Sequence, residues 1–204
     1  MNVAAIILAA GGSVRMGRPK QLMPVHGEAL LHRTARIALA SQASSVIVVL
    51  GAQAGACGSE IADLPVRLAL NPVWRDGMAS SIVAGVNEAR RKDPDLDAVI
   101  LMACDQPHLT AGVLDELLAT YELEGKGMVA CRYAGTAGVP ALFARRWFGA
   151  LERLEGESGA KSLLKATPED LACVAFEGGR VDIDTLKDYA RFLAASPSRN
   201  EAAA

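Results

Sequence analysis

The sequence predicts an α/β protein in which a mostly parallel sheet lies between two layers of helices. Three observations carry this. Short apolar runs of strand length recur along the chain, longer segments of helical period lie between them, and the runs are near-continuously apolar rather than alternating. Strands of that kind are buried on both faces, as in a parallel sheet flanked by helices. With 204 residues and 51% hydrophobic content, the chain can build one substantial core. The expected organisation is a single domain over residues 1–195, followed by a small, polar, disordered tail over 196–204.

Taken in order, Val3–Ala9 opens the chain as a strand, and Leu30–Ser41 follows as an amphipathic helix. Val46–Leu50 and Val66–Leu70 are strands, Met78–Arg91 is a helix, and Ala98–Ala103 is a strongly apolar strand. In the helix Ala111–Glu122, Leu114, Leu117, Leu118 and Tyr121 fall at i, i+3, i+4 and i+7, with Thr110 placed as its N-cap. Met128–Arg132 and Cys173–Phe176 are strands, with Ala144–Leu154 as a helix between them. Ligands of such sheets sit beyond the carboxyl ends of the strands, so the residues just after each strand carry the functional reading.

Charge and cysteine usage exclude several classes. The formal net charge is −2, so no global field draws the chain to nucleic acid or anionic lipid. No run approaches the roughly 18 apolar residues of a membrane span, and Met1–Ala10 lacks the charged opening of a secretory signal. Cys57, Cys104, Cys131 and Cys173 form no C-x-x-C pair, which argues against a zinc site or disulfide framework. A soluble, cytoplasmic protein with buried thiols is expected.

The stretch LAAGGSVRMGRPK, Leu8 to Lys20, holds three glycines and three cations and no carboxylate. It is not a Walker loop: from Gly12 the spacing reaches Gly17, but Arg18 and Pro19 stand where Lys and Ser/Thr are required. Nor is it a dinucleotide fingerprint, because Gly11-Gly12-Ser13 breaks the glycine spacing and Pro19 and Pro24 block an early helix. What remains is a wide loop whose glycines bring backbone N–H groups close to an anion, with Arg15, Arg18 and Lys20 adding charge. A triphosphate suits that set better than a single carboxylate.

Acids arrive from elsewhere. In ILMACDQPHL, Asp105 directly follows an apolar strand and is aimed at the ligand edge, where it could bind magnesium or merely cap a turn. In RVDIDTLKDY, Asp182 and Asp184 flank Ile183, so an extended backbone points both the same way; they could also be ordinary polar residues before a helix. In NPVWRDGMASSI, Gly77 allows close backbone approach, and Ser80 and Ser81 stand where a helix N-terminus could meet a nucleotide or simply begin. His26, His32 and His108 lack partners for nucleophilic catalysis, and Cys104 reads as a small buried residue.

LAAGGSVRMGRPKQLMPVHGEALL closely resembles the opening signature of the MobA-like nucleotidyltransferases, L-A-[AG]-G-x-S-x-R-M-G-x-x-K, with Gly11, Ser13, Arg15, Met16, Gly17 and Lys20 in register. C-D-Q-P and D-I-D-T are similar to motifs of the molybdenum cofactor cytidylyltransferase branch, although Leu186 and Lys187 replace its usual Pro and Glu in what should be a first helical turn. The resemblance implies a Rossmann-like fold of nucleotidyltransferase type and transfer of CMP from CTP to molybdopterin. It implies that Leu8, Ala9, Ala10, Gly11, Gly12, Ser13, Arg15, Met16, Gly17, Lys20, Ser80, Ser81 and Asp105 bind the nucleotide. Arg15, Lys20 and Asp105 would act in catalysis, and Asp105 and Asp184 would hold Mg²⁺. Gly138, Pro140, Lys161 and Asp182 would face the acceptor, although Glu157, Ser158 and Lys161 depart from the family's G-D-K-G-A-R stretch and Lys161 lacks the planar fork of Arg. A molybdenum hydroxylase apoenzyme is an implied partner. GTP, a sugar-phosphate acceptor, or a non-catalytic carrier of the finished cofactor are the alternatives.

Overall fold

The structure is a computed structural model and describes residues 1–157 and 159–195; Ser158 and the tail expected over 196–204 lie outside the described residues. Nine strands are present among these: β1 (Val3–Leu8), β2 (Pro24–Val25), β3 (Glu28–Ala29), β4 (Ser45–Leu50), β5 (Arg67–Leu70), β6 (Ala98–Ala103), β7 (Met128–Tyr133), β8 (Thr136–Ala144) and β9 (Leu171–Ala175). The helices are α1 (Leu30–Leu39), α2 (Ala54–Glu60), α3 (Met78–Lys92), α4 (Ala111–Glu124), α5 (Phe148–Leu151), α6 (Lys161–Ala166) and α7 (Leu186–Ala195). Seven strands form one sheet in the order β5-β4-β1-β6-β8-β7-β9, and β2 pairs with β3 in a small hairpin.

The central strands bury both faces. Odd residues of β1 (Val3, Ala5, Ile7) join the core under α1, α2 and α4, while Ala4 and Ile6 join the core under α3, α5 and α6. That two-sided burial is the physical reason for the near-continuous apolar runs. β1 pairs in parallel with β4 on one side and β6 on the other, with Leu8 beside Ala103. The chain therefore changes direction of winding at β1, and the loops leaving β1 and β6 emerge side by side. Such a switch point opens a crevice at the carboxyl ends of the strands.

Three expectations are corrected here. Ala144–Leu154 is not one helix: Ala144 ends β8, Arg145–Trp147 form a tight turn, and only Phe148–Leu151 are α-helical. The strand β8 is hidden in the sequence because its glycine and proline imitate a loop. Within the large sheet it alone runs antiparallel, to both β6 and β7, and a register shift opposite Ala130 and Cys131 leaves Val139 and Pro140 outside the ladder. A proline is tolerated in a sheet at such a bulge, where no N–H is wanted. Thr110 does stand at the N-cap of α4, but its side chain makes no capping hydrogen bond. The thiols of Cys57, Cys104 and Cys131 are buried as expected, whereas Cys173 is partly exposed. Among the described residues no helix is long and apolar enough to cross a membrane.

Candidate active site

The glycine-rich segment leaves β1 as an irregular loop. Ser13 lies in the left-handed region at φ 52°, unusual for a residue with a side chain. Gln21, 2% exposed, sets the loop's shape: its Nε2 donates to the carbonyls of Ala9 (3.0 Å) and Gly11 (2.7 Å). Its Oε1 accepts from the Ser13 hydroxyl (3.1 Å), and Ser13 Oγ accepts from the Lys20 backbone N–H (3.0 Å). With two carbonyls drawn inward, no described residue accepts from the N–H groups of Gly11, Gly12 or Ser13. A loop with such N–H donors can cradle an anion. Trp74 closes its other side, its ring about 3.1 Å from where a Gly12 Cβ would stand, and the Arg75 guanidinium lies 4.4 Å over that ring. Gly51 beneath is required by space, since a Cβ there would come within 2.7 Å of the Ala10 carbonyl.

The separated acids meet at this loop. Lys20 Nζ donates to Asp105 Oδ2 at 2.5 Å and to Asp184 Oδ1 at 2.9 Å, while Arg15 donates to Asp184 Oδ2 at 3.0 Å. Asp105 comes from the end of β6, as the register requires. Asp184 comes from the far end of the chain, and Ile183 brings it there. Ile183 is fully buried in a small cluster with Met16, Met23, Val25, Leu30 and Phe192, and its N–H donates to the Asp105 carbonyl at 2.9 Å. Leu186 and Lys187 begin α7, where they leave the carboxylates undisturbed.

Electrostatics follow from this crowding. Burial would lower the Lys20 ammonium, but Asp105 and then Asp184 more than reverse it, and Lys20 is held above the ordinary lysine range. Burial acts to raise the Asp184 carboxyl; hydrogen bonds and charge from Lys20 and Arg15 overcome it and leave it low. Asp182 is exposed as a residue, yet burial of its carboxyl, then repulsion from Asp105 and Asp184, pushes it up to about 6. Burial, with the Asp105 charge, raises the Cys104 thiol to about 12, so it is no nucleophile at neutral pH.

The donor set fits a hard divalent cation: two carboxylates from different elements converge on one positive centre. Among the described residues no group of three or more His, Cys, Asp or Glu side chains is arranged to hold a metal. A cation at Asp105 and Asp184 therefore needs further oxygens from a substrate or water.

Other expected residues are placed differently. The Ser80 hydroxyl donates to the Gly77 carbonyl (2.8 Å), and Asn71 Nδ2 donates to both Ser80 Oγ (2.8 Å) and Ser81 Oγ (3.0 Å). Ser81 is buried, so internal bonds occupy this pair. Gly77 adopts φ 106°, and a Cβ there would meet the Gly156 carbonyl, which ties the loop before α6 to the start of α3. Gly138 and Pro140 are buried in β8, not in a loop. The Tyr133 hydroxyl fills the space a Cβ at Gly138 would need. Lys161 opens α6, beside α3 and not among the carboxylates. A cleft of about 560 Å³ lined by His108, Phe176 and Arg180 adjoins one of about 260 Å³ that reaches Asp182. The histidines stay out of the cluster: His26 and His108 pack edge-on against Phe192, and His32 bonds Glu28 and Asp63. Gln21 is not legible as a functional residue in the sequence. Gln21 follows Lys20 directly along the chain, but only its burial shows what it holds.

Known proteins resemble this chain. Nicotine blue oxidoreductase of Paenarthrobacter nicotinovorans is 29% identical over 94% of this chain and 96% of its own. A probable molybdenum cofactor guanylyltransferase of Synechococcus elongatus is 33% identical over 60% of each. The crystal structure of Rv0371c from Mycobacterium tuberculosis H37Rv superposes with a TM-score of 0.82 at 31% identity, covering 95% of this chain and 98% of that one. A second structure of it, in complex with manganese, has a TM-score of 0.78 at 27% identity, covering 96% of this chain and 100% of that one. Residues 5–171 match the MobA-like NTP transferase domain, so the chain belongs to the MobA-like nucleotidyltransferase family.

Proposed function

We propose that the protein transfers CMP from CTP to the terminal phosphate of molybdopterin, giving molybdopterin cytosine dinucleotide and pyrophosphate. The observation that carries this reading is the convergence of Lys20, Asp105 and Asp184 within hydrogen-bond distance beside the cradle of Gly11–Ser13. In this reading an acceptor phosphate oxygen attacks the α-phosphorus in line, a P–O bond forms, and the bond to the β-phosphate oxygen breaks as pyrophosphate leaves. The loop N–H groups and the Arg15 and Lys20 cations hold the triphosphate and stabilise charge on the departing pyrophosphate. Asp105 and Asp184 would hold Mg²⁺, which when bound supplies charge neutralisation and orientation of the phosphate oxygens. The cleft reaching Asp182, with Arg180 and Arg191 as well as Asp188 on its walls, supports an acceptor with anionic groups on that side, and Gly138 and Pro140 would contribute from β8. Lys161 would serve an extended acceptor from α6. A molybdenum hydroxylase apoenzyme would receive the product.

Cytidylyl rather than guanylyl transfer is favoured by the L-A-A-G and C-D-Q-P signatures, while three relatives, that of Synechococcus elongatus among them, carry the name of a guanylyltransferase. The test incubates the purified protein with each nucleoside triphosphate, Mg²⁺ and molybdopterin, and scores pyrophosphate release and product mass. CTP should outpace GTP at least tenfold, and Asp105→Ala should abolish turnover. Equal rates with GTP would remove the cytidylyl assignment. Turnover of a redox substrate without pyrophosphate release would favour the oxidoreductase chemistry named for the nicotine blue relative.

A further inference from the structure

With Asp105 and Asp184 read as the metal carboxylates, Lys20 stands in the metal's place, and its role depends on that reading. Lys20 Nζ lies between Asp105 Oδ2 and Asp184 Oδ1 and bonds both, at 2.5 and 2.9 Å. On that reading each bond takes an oxygen of a metal carboxylate. An ammonium seated at this pair of oxygens repels a divalent ion brought to them and competes with it for their lone pairs. Arg15 occupies the other oxygen of Asp184 at 3.0 Å. In this state both carboxylates are already neutralised from within the chain.

The local build lets Lys20 leave without disturbing the loop. Its backbone is fixed: Ser13 accepts from its N–H, and Gln21, its neighbour, is locked in the interior. Its side chain ends in a compact charge on a flexible four-carbon stem, which can swing while the backbone stays still. Arg15 is 72% exposed and equally free to turn. A triphosphate in the Gly11–Ser13 cradle would give both cations a more highly charged partner.

We propose that Lys20 holds the cation's place in the nucleotide-free protein, so that the site accepts a divalent cation only together with a triphosphate. The two arrive as one substrate: the phosphates draw Lys20 and Arg15 off the carboxylates, and Asp105 and Asp184 would then be free to hold the metal. Free metal alone meets a site closed by the protein's own charge. The device selects the metal–triphosphate complex over either component and keeps stray ions from the carboxylates between turnovers.

The test measures Mn²⁺ binding to nucleotide-free protein by the loss of the free-ion electron paramagnetic resonance signal, and binding of the Mn²⁺–CTP complex by calorimetry. Wild type, Lys20→Met and Lys20→Gln are compared, with Asp105→Asn as reference. Both Lys20 variants should bind free Mn²⁺ at least tenfold more tightly than wild type and the Mn²⁺–CTP complex at least tenfold more weakly. A variant that is merely misfolded would lose both. If neither Lys20 variant binds free Mn²⁺ more tightly, the place-holding role is overturned while the metal assignment stands. If Asp105→Asn binds the complex as well as wild type does, the carboxylate assignment falls and this proposal with it.

Discussion

Gln21 directs every polar atom of its side chain at the loop before it, and the orientation of Gly11–Ser13 depends on those bonds. Replacing it with leucine keeps the volume approximately but leaves the Ala9 and Gly11 carbonyls without their donor. A buried carbonyl left unpaired costs about 1–3 kcal/mol. Gln21→Leu leaves the Ala9 carbonyl buried and unpaired, with Gly11 exposed to water, and is therefore expected to lower stability by about 1–3 kcal/mol and to weaken triphosphate binding by about tenfold or more, a tenfold loss being about 1.4 kcal/mol. Thermal unfolding and calorimetry would measure the two effects separately. Nucleotide affinity equal to wild type in a folded variant would show that the loop keeps its shape without the amide.

At the scale of elements, α1 carries a charge network that reads out in pH. Glu28, just before α1, accepts from Arg36 at 2.9 and 3.0 Å and bonds His32 at 2.8 Å, while His32 also bonds Asp63 at 3.3 Å. The Arg36 hydrogen bonds, opposed by burial and aided by His32, hold the Glu28 carboxyl down at about 2. The Glu28 hydrogen bond, against some burial and with help from Asp63, raises His32 above its ordinary value. The two shifts act in opposite pH directions. The lowered Glu28 contributes stability that is present above its unfolded value near 4.5 and lost as pH falls towards 2. The raised His32 contributes stability that is present below 6.5 and lost as pH climbs through its folded value. Glu28→Gln should therefore cost most between about pH 4.5 and 6.5, and less on either side. Because the network is partly exposed, the peak cost is about 1 kcal/mol, or roughly 2–4 °C in Tm. A Tm difference that is flat from about pH 3 to 9 would show that the network contributes no linked stability.

At the scale of the whole molecule, the candidate site is assembled by a contact between the two ends of the chain. Ile183, Met16 and Phe192 pack together, and the Tyr189 hydroxyl donates to the Pro24 carbonyl at 2.5 Å. This cluster stands apart from the two sheet cores, so its loss should leave the sheet folded. Ile183→Ala is expected to cost about 2–5 kcal/mol and to free Asp184 from Lys20. Triphosphate binding in the presence of metal should fall about tenfold or more, which is about 1.4 kcal/mol, with the far-ultraviolet circular dichroism unchanged. Undiminished binding would mean that Asp184 reaches Lys20 by another route.

Much of this was legible in the chain alone. Val3–Ala9 and Ala98–Ala103 declared themselves as buried parallel strands because a strand covered on both faces must be apolar at every position, and the residues after them declared a glycine-rich cationic loop and an acid. The glycine and cation spacing carried the family, which residues 5–171 bear out. Other features were not local properties. The strand β8 contains Gly138 and Pro140, whose own preferences argue against a strand; its neighbours β6 and β7 supply the ladder, and the bulge at Val139 and Pro140 absorbs the conflict. Gln21 and Ile183 are a polar and an apolar residue in unremarked places until the fold buries them. Residue types and spacing determined the sheet, the cradle and the identity of the charged groups. Only the tertiary structure decided that Lys20 stands between Asp105 and Asp184, because charges 85 and 164 residues apart along the chain meet through packing that no short stretch of sequence encodes.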